Sequence, residues 1–182
     1  MVITKNDFYD KYRPADTWAK TGLLLSPVPL KDLLIRVIVK SAAEIGVCEC
    51  VDVIETDDGP TDLTIATPTA DNSIVPMLYI PDTEHNREIL ARDNSVDSYF
   101  DLSKATAKFS ADSEIDAYFL VPGLIITVKL ANSQTVKPGK KMQSAGSGTV
   151  DVYAIVNARL GHILGQAPSV ASLKWAVIMI TF

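Results

Sequence analysis

Hydrophobic positions along this chain fall in short runs separated by turn residues, with little helical spacing. Residues 33–40 (LLIRVIVK) are rich in β-branched side chains and alternate, with Arg36 and Lys40 on one face and Ile35, Val37 and Val39 on the other. Residues 47–55 and 62–67 predict two more strands. Asp58-Gly59 between them supplies the positive φ of a tight reversal, so the pair reads as a hairpin. Pro68, Pro76 and Pro81 interrupt the next stretch and leave 77–80 as a short apolar strand. Residues 82–92 (DTEHNREILAR) have helix-forming composition behind an Asp or Thr that can cap the first turn.

From residue 113 onward the pattern is more regular. Strands are expected at 114–121, 124–130, 149–156, 161–167 and 173–182. Pro122-Gly123 and Pro138-Gly139 form turns between them, and 145–148 (AGSG) forms a hairpin tip. The last run, LKWAVIMITF, is apolar on both faces and so belongs at the centre of a sheet. The expected fold is mainly β: a barrel- or sandwich-like domain with an extended N-terminal arm and at most one or two short helices. The chain divides into an arm (1–30), a β-rich portion (31–112) and a β-barrel-like portion (113–182), the last two of which can form one domain. In the arm, Phe8, Tyr9, Tyr12 and Trp18 interleave with charge ahead of Pro27-Val28-Pro29. Such aromatics can anchor on the chain's own domain or on a neighbouring subunit.

Composition narrows the function. The chain has 182 residues, 47% hydrophobic and 21% charged, which suits a folded core of ordinary size. The net charge of −5 gives no chain-wide footprint for a phosphate backbone, so nucleic acid is not an expected partner. No run of about 18 apolar residues predicts a membrane span. The N-terminus, MVITKNDFYDKYRP, lacks the charged start and apolar stretch of a signal peptide.

Several constellations invite chemistry and fail on spacing. Cys48 and Cys50 fall at i and i+2, on one face of a predicted strand with Glu49 on the other. With only His85 and His162 as further soft ligands they read as buried thiols, not a metal site. Asp57, Asp58 and Asp62 lack the alternate spacing and closing Glu of a calcium loop. His85 lies beside Glu84 and Glu88 without a nucleophile, and Gly146-Ser147-Gly148 lacks the strand–turn–helix context of a nucleophile elbow. Gly139-Lys140-Lys141 lacks the flanking residues of a phosphate-binding loop. No catalytic residue, cofactor or metal is expected. Lys129, Lys137, Lys140 and Lys141 form a local cluster in an acidic chain, either guarding strand edges or docking an acidic protein surface.

Residues 113–167 carry a particular order of turns: YFLVPGLIITVKL, then TVKPGKKMQSAGSGTVDVYAIV, then LGHILGQA. This stretch resembles the small β-barrel cement or head-decoration proteins of tailed viruses. Lys140 stands where an acidic residue is more usual. The resemblance covers about a third of the chain, rests on turn signatures and leaves residues 1–112 unmatched. It implies a non-enzymatic virion protein, made in the host cytoplasm, that sits on the capsid surface and clamps the shell. Its partners would be the major capsid protein and itself, as a trimer by analogy. The expected interface residues are Phe8, Tyr9, Tyr12 and Trp18 of the arm, with Lys129, Lys137, Lys140 and Lys141. Another virion component, or a ligand- or glycan-binding β-domain, are the alternative readings.

Overall fold

A computed structural model of the chain describes residues 24–39, 45–54, 64–66, 76–94, 107–131, 137–146, 148–153, 159–166 and 175–182. In chain order the elements are β1 (Leu24–Leu25), β2 (Leu34–Val39), β3 (Cys50–Ile54), β4 (Thr64–Ala66), β5 (Leu78–Tyr79), α1 (Glu84–Asp93), β6 (Glu114–Phe119), β7 (Ile125–Lys129), β8 (Lys141–Gly146), β9 (Thr149–Val152), β10 (Gly161–Gln166) and β11 (Trp175–Ile180). The fold is mainly β with one α-helix among the described residues, as the alternating pattern predicts.

Five strands close a barrel in the order β2-β4-β3-β5-β6. Val37 and Val39 of β2 are buried in it, while Arg36 stays outside against Glu114 and Asp116 on a face it shares with the exposed Leu34 and half-buried Ile38; Lys40 lies outside the described residues. The expected hairpin forms, with β3 antiparallel to β4. Its turn, with Asp57, Asp58 and Asp62, lies outside the described residues. Helix α1 starts where Thr83 accepts a hydrogen bond from the Asn86 N–H. The fully buried Asn86 amide then clamps the helix to β6, donating to the carbonyls of Pro81 and Asp116 and accepting from the Asp116 N–H.

The remaining strands form a sheet in the order β1-β7-β11-β10-β8-β9. Strand β11 lies inside it, flanked by β7 and β10, as its two apolar faces require. The sheet curls until its far edge meets β7 again. Leu130 bridges Val150 in parallel, and the Ala131 N–H donates to the Val150 carbonyl at 2.8 Å. This closure covers the edge that β9 would otherwise expose. Strands β8 and β9 pair antiparallel on either side of the expected 145–148 tip, of which residue 147 lies outside the described residues.

Strand β6, grouped by sequence with the C-terminal portion, pairs instead with β2 and β5 and completes the first barrel. The chain crosses between the two bodies through residues 120–124. There Gly123 adopts φ +87° and donates its N–H to the Ile180 carbonyl. One continuous buried cluster runs through both bodies, from Val37, Val51 and Ile115 to Ile126, Met142 and Ile178.

A short turn at 46–49 joins the two bodies. Cys48 takes φ +60°, so β3 begins only at Cys50 and the expected alternation of Cys48, Glu49 and Cys50 is broken. All three side chains are buried. The Lys129 N–H donates to the Cys48 carbonyl, the Cys50 N–H to the Gly148 carbonyl, and the Tyr79 hydroxyl to the Thr127 carbonyl at 2.9 Å. Each of these bonds ties the first barrel to the second sheet. At their centre Glu49 Oε1 accepts from Lys129 Nζ at 2.5 Å and Lys108 Nζ at 2.8 Å, while Oε2 accepts from the Gly46 N–H at 2.8 Å. The Glu49 side chain is 1% exposed and that of Lys129 6%. Gly148, at φ +72°, lies over this carboxylate, and a Cβ there would come within 2.7 Å of Glu49 Cβ.

Removing one member of a buried ion pair strands the other, at a cost of about 3–5 kcal/mol. Glu49→Leu alone should therefore destabilise by about that amount in urea unfolding, and adding Lys129→Met should recover part of it. Gly148→Ala should cost about 2–4 kcal/mol through the left-handed backbone and the contact with Glu49. A Glu49→Leu variant of wild-type stability would remove the pair from its structural role.

At the end of α1, burial alone would raise the Asp93 carboxyl. Hydrogen bonds from Ser113, the Ser110 N–H and Arg92 outweigh burial and hold it below the usual carboxylate range. A depressed folded value contributes stability above the unfolded pKa, and that stability is lost as pH falls through the folded one. Asp93→Asn should thus be less stable than wild type at pH 7, with the gap narrowing in urea midpoints as pH falls below the ordinary carboxylate value of about 4.

Candidate docking surface

The turn at 137–140 is pinned on both sides. Gly139 takes φ +84°, its N–H donates to the Ile163 carbonyl at 2.7 Å, and the Ile163 N–H returns a bond to the Lys140 carbonyl at 2.9 Å. This backbone frame holds Lys137 and Lys140 in solvent, and Lys141, opening β8 opposite His162, is exposed beside them. Among the described residues none of these three lysines has an acidic partner within ion-pair distance.

An open cleft of about 360 Å³ lies next to this turn, lined by Lys141, Tyr153, Arg159 and Phe182. The strand ends set its geometry. The Tyr153 N–H donates to the Lys141 carbonyl at 2.9 Å, and the Thr181 N–H to the Leu160 carbonyl at 3.1 Å. Arg159 Nη2 reaches the Thr181 carbonyl at 3.3 Å, and His162 Nδ1 lies 3.0 Å from the Thr181 hydroxyl. Phe182 stays 47% exposed. Two cations beside two aromatic rings can hold an anion that carries a planar or apolar group, through charge-assisted hydrogen bonds and ring contacts. The cleft residues among those described are two cations and two aromatics, groups suited to holding such a ligand.

The other exposed large hydrophobic residues among those described are Val28, Leu34, Met77 and Phe119. The Phe119 N–H donates to the Leu33 carbonyl and the Leu120 N–H to the Met77 carbonyl, which brings the segments of Leu34, Met77 and Phe119 to one end of the first barrel.

The structure separates the residues expected at an interface. Phe8, Tyr9, Tyr12 and Trp18 lie outside the described residues. Lys137, Lys140 and Lys141 share one exposed corner. Lys129 leaves that set, because β7 has no solvent face at its end and the lysine turns inward to Glu49. Sequence reading missed Arg159, Tyr153 and Phe182, which come together only through the pairing of β8, β10 and β11.

The two thiols are buried and free. Burial, the largest cause, pushes Cys48 up to about 12, and burial with the nearby Glu49 carboxylate raises Cys50 further. No group of three His, Cys, Asp or Glu side chains among the described residues could hold a metal ion, and no helix among them is long and apolar enough to cross a membrane. No family model matches the chain, and no curated protein matches it.

With both thiols held protonated and enclosed, neither should react with a disulfide reagent at pH 8 in the native protein, and both should react in denaturant. Rapid native labelling would show that the junction opens readily.

Proposed function

We propose that this chain is a structural virion protein that binds the outside of a viral capsid and stabilises the shell. The observation that carries this reading is the exposed corner of Lys137, Lys140 and Lys141 on a chain of net charge −5, without acidic partners among the described residues. A fixed cationic corner suits a complementary acidic protein surface. Two further features support the reading. Of the turns that resemble cement proteins, Pro138-Gly139 falls between strands of the curled sheet and the 145–148 tip lies between its paired strands β8 and β9, while Pro122-Gly123 lies where the chain crosses from the barrel into that sheet. The strand edges are mostly used up internally, by a closed barrel and by the Leu130–Val150 bridge, which leaves side-chain surfaces rather than open edges for adhesion.

Decoration does not need a strong single contact. Copies that also touch one another bind a repeating shell with an avidity well above that of one interface. The aromatics of the arm would supply the contacts between copies, in a trimer by analogy with the proteins it resembles.

Co-sedimentation with shells of the virus that encodes the chain tests the reading. The purified protein should pellet with the shells and weaken as salt rises from about 0.1 M to about 1 M. Lys137→Glu with Lys140→Glu should lower the affinity by about tenfold or more. Failure to pellet, or binding indifferent to both salt and charge reversal, would overturn the proposal.

A further inference from the structure

We infer that the cleft of Lys141, Tyr153, Arg159 and Phe182 receives the segment Asp7-Phe8-Tyr9-Asp10 from the arm of a second copy of this chain. The inference deepens the proposed function by naming how copies join, and it is tested with no shell present.

The cleft asks for an anion joined to an aromatic or apolar group. It brings a lysine and an arginine beside a tyrosine and an exposed phenylalanine, in about 360 Å³. That volume sits at the small end of the usual range for binding pockets and suits one or two side chains better than a large ligand. Among residues 1–23, the stretch that precedes β1, one segment matches in both respects: Asp7-Phe8-Tyr9-Asp10, two aromatics bracketed by two carboxylates. A carboxylate can meet the Arg159 guanidinium in a charge-assisted bond, and an aromatic ring can stack against Phe182 or Tyr153. The Arg159 bond to the Thr181 carbonyl uses one of its donors and fixes its direction. The other aromatics of the arm fit less well. Tyr12 lies between Lys11 and Arg13, whose charges would face Lys141, and Trp18 has one carboxylate, Asp16, offset by Lys20 at the same spacing.

Reach allows the exchange. The chain enters the sheet at Leu24, and an extended segment back to Asp10 covers about 50 Å at the maximal rise per residue. That is about three times the radius of gyration of a domain of this size, about 16 Å from the usual scaling, so an arm can pass from one copy to the next.

The full-length chain is tested by multi-angle light scattering across a concentration series, in four samples. Wild type should self-associate. Lys141→Glu with Arg159→Glu should weaken self-association by about tenfold or more, and so should Asp7→Lys with Asp10→Lys. An equimolar mixture of the two reversed proteins should associate again, because each then offers the complement the other has lost. A variant that had merely misfolded would not be rescued by mixing, and thermal unfolding of each variant alone checks its fold. A strictly monomeric wild type overturns the inference, as does self-association unchanged by either reversal, or a mixture that stays dissociated. Loss of shell binding with intact arm exchange would count against the capsid reading alone. Loss of arm exchange with intact shell binding would count against this inference alone.

Discussion

A carboxylate enclosed between two bodies constrains this fold more than any other group. Glu49 can be buried only because Lys129, Lys108 and the Gly46 N–H all reach it, and those partners come from three separate stretches of chain. The pair need not add net stability, since desolvating both charges offsets much of their attraction. Its effect is on specificity. Any other docking of the first barrel against the second sheet would leave a charge stranded in the core. The positive φ of Cys48 aims the carboxylate inward, and the absence of a side chain on Gly148 leaves room for it. The same placement brings the backbone bonds through Cys48, Cys50 and Tyr79 into register.

A barrel joined to a curled sheet presents a fixed surface, which bears on function. The polar backbone of the strands is largely satisfied inside the molecule, so a partner must be held by side chains. Among the described residues, exposed side chains that could do this include the lysine turn at 137–141, the cleft beside it, and the apolar end at Leu34, Met77 and Phe119. A protein that clamps a repeating lattice needs such contacts held in constant relative position, because each copy must meet the same geometry.

Much of this architecture was legible in the sequence, for physical reasons. Period-two alternation in 33–40 and turn chemistry at Pro122-Gly123 and Pro138-Gly139 act locally, so they could be read locally. The helix behind Thr83 was legible through its cap, and the central place of β11 through its two apolar faces. What escaped depends on distant partners. Parity placed Glu49 on the strand face opposite Cys48 and Cys50, but nothing local marks Cys48 for a left-handed backbone, and the lysine that receives Glu49 lies 80 residues on. Lys129 read as part of a surface cluster because Lys137, Lys140 and Lys141 follow it in sequence, whereas its neighbours in space are Glu49 and the core. The cleft was hidden for the same reason: Tyr153, Arg159 and Phe182 meet Lys141 only once the sheet has curled. Strand β6 was misgrouped because sequence gives a strand's existence more readily than its partner.

The capsid reading is tested most directly by a cryo-electron microscopy map of shells incubated with the purified chain. Added density in symmetric sets on the outer surface is expected, into which the barrel and the curled sheet fit as one body with the Lys137–Lys141 corner against the shell. Shells without added density, or copies bound with that corner turned to solvent, would contradict it.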